Sequence, residues 1–71
     1  MKYFEIIFPD GFSIIIKGVR EPSIEEVKSF LAQDMKNMGY TEINGIVEWP
    51  LDDALTAFDF DNENNWPIFG A

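Results

Sequence analysis

The chain contains no cysteine, no histidine and, beyond Lys36, no basic residue. Without cysteine there are no disulfides, thiolate nucleophiles or thiolate metal sites, and the compartment is left open. Without histidine the commonest general base and the commonest metal ligand are missing. Long apolar runs are absent too: nothing approaches the roughly 18 residues needed to span a bilayer. The opening Met1-Lys2-Tyr3-Phe4-Glu5 starts a strand-like alternation and lacks the apolar core of a signal peptide. There is no Gly-rich phosphate loop. Ser13, Ser23, Ser29, Thr41 and Thr56 have no histidine or cysteine to activate them, and nothing marks Lys17 or Lys28 as desolvated nucleophiles. A non-enzymatic role is expected.

What is present is an uneven charge. The formal net charge is −8 in 71 residues. The first 36 residues hold all five bases against six acids. The remainder carries Glu42, Glu48, Asp52, Asp53, Asp59, Asp61 and Glu63 with six aromatics and no base. A field of one sign steers oppositely charged partners and repels nucleic acid and anionic membranes. The same excess also keeps a small protein soluble. A chain of this length makes one domain and buries only about 60% of its unfolded surface. At 46% apolar residues it has material for a core.

Residues 2–17 read as a β-hairpin. Pro9 presets φ, Asp10 suits a type I turn, and Gly11 can take the left-handed position of a three-residue loop. If Phe8 faces Phe12, Phe4 opposes Ile16 and Ile6 opposes Ile14. One face then carries Phe4, Ile6, Phe8, Phe12, Ile14 and Ile16; the other, with Tyr3, Glu5, Ile7, Ser13, Ile15 and Lys17, is mixed. A one-residue slip would mix both faces. Ser23 with Glu26 forms a capping box. Ile24, Val27, Phe30, Leu31, Met35 and Met38 then recur at helical steps, so one amphipathic helix is predicted over about 24–38, with Lys36 in its last turn and Gly39 closing it. Residues 43–49 read as a third strand, with Gly45 a bulge or a close approach and Pro50 a stop. Leu51, Leu55 and Phe58 mark a short second helix, about 51–58.

The fold class predicted is α+β: a ββαβ(α) order with a three-stranded, mostly antiparallel sheet on one helix, the third strand beside the first. The domain spans 1–58. Residues 59–71 form an acidic aromatic segment, expected to fold back so that Trp66, Ile68 and Phe69 cover the mixed face of the sheet. The opening hairpin and capped helix resemble the start of a ubiquitin-like β-grasp domain over about half the chain, in architecture alone; that likeness implies a closing strand from the tail and no function.

Asp52-Asp53 could be metal ligands or an acid–base pair, but helix capping explains them more simply. Asp59-Phe60-Asp61-Asn62-Glu63 alternates oxygen ligands, yet a calcium loop needs Gly at its sixth position and an acid at its twelfth, where Asn64 and Gly70 stand. No metal or cofactor is expected. The acids before Trp66-Pro67-Ile68-Phe69 resemble the acidic tips of bacterial single-stranded-DNA-binding proteins, which dock on partners through a final Pro-Phe and its carboxylate; here Gly70-Ala71 follow Phe69.

The reading is therefore a small acidic protein that binds a basic surface of a partner protein, of inhibitor, immunity or nucleic-acid-mimic type. Asp59, Asp61, Glu63, Trp66 and Phe69 are the candidate contact residues, the aromatics as anchors. The alternative is a stand-alone bacterial domain acting through dimerisation or a housekeeping interaction. Either way a soluble, cytoplasmic protein of bacterial or phage origin is expected, monomer or homodimer, with no nucleic acid and no membrane as direct partner.

Overall fold

Pro9 and Gly11 make the turn that sets the sheet. In the computed structural model, which describes residues 2–50, 52–54 and 66–70, Gly11 sits at φ +90°. Its N–H donates to Phe8 O at 2.9 Å, and Phe8 N donates to Phe12 O at 2.8 Å. The Asp10 carboxylate accepts from Phe12 N at 3.0 Å. A three-residue loop of this kind fixes the register of its strands. Strands β1 (Lys2–Ile7) and β2 (Ser13–Gly18) pair antiparallel with Phe4 opposite Ile16 and Ile6 opposite Ile14.

The helical region starts at the expected capping box. Glu26 N donates to Ser23 Oγ at 3.2 Å, and Ser23 N donates to Glu26 Oε1 at 3.0 Å. It is two helices where one was predicted: α1 (Ile24–Phe30) and α2 (Ala32–Met38). Leu31 between them lies at φ −102°, ψ 16°. The i→i−4 bonds continue across it, Leu31 N to Val27 O and Met35 N to Leu31 O, both 2.8 Å. The break is thus a bend that keeps Val27, Leu31 and Met35 buried four residues apart. Neither proline nor glycine marks it. Gly39 at φ +84° ends α2, and Tyr40 N reaches back to Met35 O.

Strand β3 (Gly45–Trp49) lies beside β1 and antiparallel to it, as expected, but starts two residues later than predicted. Ile43 just ahead of it is buried in the core. The sheet has a fourth member. β4 (Ile68–Phe69) runs parallel to β2, with Lys17 opposite Ile68 and Gly18 opposite Phe69. The order is β3-β1-β2-β4, so the sheet is four-stranded and mixed rather than three-stranded and mostly antiparallel. The extra strand follows from a backbone bond, Lys17 N to Pro67 O at 2.8 Å, which a two-residue apolar run does not announce. Residues 52–54 are helical, with Ala54 N donating to Pro50 O. The rest of the predicted second helix, Leu51 and 55–58, lies outside the described residues.

The main core fills one face: Phe4, Ile6, Phe8 and Ile16 from the sheet meet Val27, Leu31, Met35, Ile43 and Phe69. Burying each large side chain contributes on the order of 1.5–3 kcal/mol. Phe12, assigned to this face, is 51% exposed and lies at the rim. Its ring extends a stack in which Phe8 and Tyr40 are parallel at 4.2 Å between centroids. The opposite face has a smaller cluster of Tyr3, Ile15 and Ala54, with Trp49 and Trp66 packed against it.

Candidate interaction surface

Of the candidate contact residues, the two that are described, Trp66 and Phe69, lie on opposite faces of the sheet. Asp59, Asp61 and Glu63 lie outside the described residues. Trp66 packs edge-on against Tyr3, with centroids 5.9 Å apart, on the smaller cluster. Phe69 belongs to the main core on the other face and is 8% exposed. Its ring meets Phe30 edge-on at 5.6 Å, and the Arg20 guanidinium lies 5.1 Å from its centroid. The segment expected to cover the mixed face thus sends Trp66 there and Phe69 to the helix side. Using Phe69 as an anchor for a partner would mean taking it out of the core.

The described charges divide across the sheet. Lys17 stands on β2 opposite Ile68, and Arg20 sits over Phe69, so two of the bases lie towards the β4 edge. Arg20 holds Glu26 in a two-pronged pair, with N–O distances of 3.0 and 2.5 Å. Lys28 pairs with Glu42 at 3.4 Å. At the β3 edge the charges are acids. Glu48 is exposed on β3, and Asp52 and Asp53 are exposed just beyond it. Glu5 on β1 accepts a hydrogen bond from Trp49 Nε1 at 3.1 Å. Neither Glu48 nor Asp53 has an ion pair among the described residues.

The backbone of β3 adds what sequence reasoning missed. Because Phe8 N bonds to Phe12 O, the even residues of β1 turn their N–H and C=O groups to β2 and the odd ones to β3. Val47 and Trp49, opposite Glu5 and Tyr3, therefore bond inward. Ile46 and Glu48 aim their backbone groups away from the sheet. No strand among the described residues covers that side. The signal available in advance was the placement of the third strand beside the first, which makes it an edge.

Titration behaviour follows these contacts. Tyr40 Oη donates to Asp10 Oδ2 at 2.7 Å. That bond holds the Asp10 carboxyl below its ordinary range and the Tyr40 phenol above its own. The Arg20 guanidinium, with Ser23 N–H behind it, lowers Glu26 to about 2. None of these groups is paired with a nucleophile. No group of three or more metal-ligating side chains occurs among the described residues. An open cleft of about 330 Å³ lies along α2, with Lys28 and Lys36 flanking Ala32, Met35, Tyr40 and Thr41. It offers cations and apolar surface but no acid–base pair. Among the described residues no helix is long and apolar enough to cross a membrane. No protein-family model, curated protein or solved structure matches the chain.

Proposed function

We propose that this is a non-enzymatic cytoplasmic protein of bacterial or phage origin that binds a basic surface of a partner protein, as inhibitors, immunity proteins and nucleic-acid mimics do. The supporting observation is the base-free stretch from residue 37 onward, in which Glu48 and Asp53 are exposed and have no ion pair among the described residues. Uncompensated acids steer a basic partner and disfavour nucleic acid as a direct ligand. Affinity purification from a lysate at low salt should retain one basic protein. The purified pair should dissociate steeply as salt rises. Retention that ignores salt, or of acidic proteins alone, would count against the reading.

The outer edge of β3, with which no strand among the described residues pairs, favours one other reading, a domain that pairs with itself. Light scattering across a concentration series separates the two. A monomer at high concentration removes self-pairing.

A further inference from the structure

We propose that the partner docks on the outer edge of β3, adding an extended basic segment there as a fifth strand; this rests on the basic-partner reading above and names its surface. The first ground is the backbone. Ile46 and Glu48 present N–H and C=O groups outward, and no described strand pairs with them. Such an edge is a template for another strand, and proteins usually blunt it with lysine, proline or a covering element. The five residues of β3 contain neither lysine nor proline. Its central Val47 is 43% exposed.

The second ground is charge. On the helix face of the sheet Glu48, opposite Phe4, is the outermost charge of β3. On the other face Glu5 lies opposite Val47 and is bonded to Trp49. Asp52 and Asp53 follow at the Pro50 end, where Lys2 is the one cation of β1. An incoming strand therefore meets an acid, Glu48, on the helix face and an exposed valine, Val47, on the other. A segment alternating a long cation with a β-branched residue matches this: its cations lie on the helix face beside Glu48, and its branched residues lie on the other face, where they pack on Val47. A second copy of this chain fits poorly, because it brings another acidic edge and a further net charge of −8.

The test uses the full chain, ¹⁵N-labelled, and three capped synthetic peptides: one alternating lysine and valine, the same with a central proline, and one alternating glutamate and valine. The lysine–valine peptide is expected to shift the amides of residues 45–49 and to slow hydrogen exchange at Ile46 and Glu48. Its binding should weaken about tenfold between low and physiological salt. The proline-containing and glutamate peptides should not bind. Glu48→Lys should reverse the preference between lysine and glutamate peptides. Glu48→Pro removes an N–H that β1 does not use and should abolish binding with the β1 shifts retained; should that variant not fold, the proline-containing peptide makes the same test on the native protein. Salt-sensitive binding that shifts other residues would overturn the edge site and leave the basic-partner reading standing. Absence of binding by any peptide at low salt would sink both. Protection of Ile46 and Glu48 that grows with protein concentration and with salt would assign the edge to a second copy instead.

Discussion

Arg20 joins two parts of the molecule with one guanidinium. Its nitrogens hold Glu26 within the capping box, and its Cζ lies over the Phe69 ring of β4. The consequence for Glu26 is an acid-side dependence of stability. Its carboxyl is at about 2 in the folded chain against an ordinary 4.5. A depressed folded value stabilises the fold above the unfolded value and loses that contribution as pH falls towards the folded one. Denaturation midpoints should therefore decline between about pH 4.5 and 2, and Glu26→Gln should flatten that part of the profile. An unchanged slope in the variant would refute the assignment. Tyr40 and Asp10 give a second check, at the alkaline end. The native phenol should ionise above the ordinary tyrosine range, and Asp10→Asn should bring it back, read from phenolate absorbance. The capping box was legible because both partners lie within four residues. The bond between Asp10 and Tyr40 was not, since it joins a hairpin turn to a helix end 30 positions away.

The elements differ in how much local sequence decides them. The hairpin was legible to the residue because Pro9-Asp10-Gly11 dictates the loop and the alternation of Phe4, Ile6, Ile14 and Ile16 allows one register. The helical span was legible in its ends, Ser23 and Gly39, but not in its bend at Leu31, where packing on the sheet decides. β4 was left out of the predicted three-stranded sheet because two residues carry no periodicity, and only the β-grasp likeness implied a strand from the tail; where β4 pairs with β2, Phe69 comes close to Gly18. A Cβ added there would meet Arg20 O and Phe69 O, both at 3.3 Å, and Phe69 Cβ at 3.6 Å. Two of these atoms are backbone, so the chain around the β2–β4 pair must shift by a few tenths of an ångström to admit it. Gly18→Ala should accelerate hydrogen exchange at the β4 end and lower the melting temperature. Gly45→Ala, where a Cβ meets nothing within 4 Å, should leave both close to native. Equal behaviour of the two variants would contradict a close approach at Gly18.

The whole molecule depends on a small core. Six side chains, Phe4, Phe8, Ile6, Ile16, Leu31 and Val27, are the largest fully buried ones among the described residues. Phe-to-Ala changes in cores cost about 3–5 kcal/mol, while small domains hold a net stability of order 5 kcal/mol. Phe4→Ala should therefore leave the chain largely unfolded at room temperature, as judged by loss of amide dispersion in NMR spectra. Charge acts at this scale as well. A net charge of −8 on so few residues repels itself, so raising salt from millimolar levels should increase the melting temperature. A flat or falling response would show that the acids are already compensated. The acidic half was visible in the sequence, but the surface it serves was not. Trp66 and Phe69 looked like neighbours suited to one contact, yet a strand between them sends their rings to opposite faces. The edge of β3 is a product of strand order, which no local pattern encodes.

The parallel pairing of β2 with β4 also bears on how the chain is made. Everything β2 needs on its β1 side is adjacent in sequence, whereas its partner on the other side is Ile68–Phe69. As the chain leaves the ribosome, the hairpin, both helices and β3 emerge ahead of β4. Through that interval the pocket for Phe69 stands empty and β2 is a second open border. With β4 undocked the nascent domain exposes an unpaired strand border and apolar surface, features that favour aggregation, and a long loop between β2 and β4 must close to cover them.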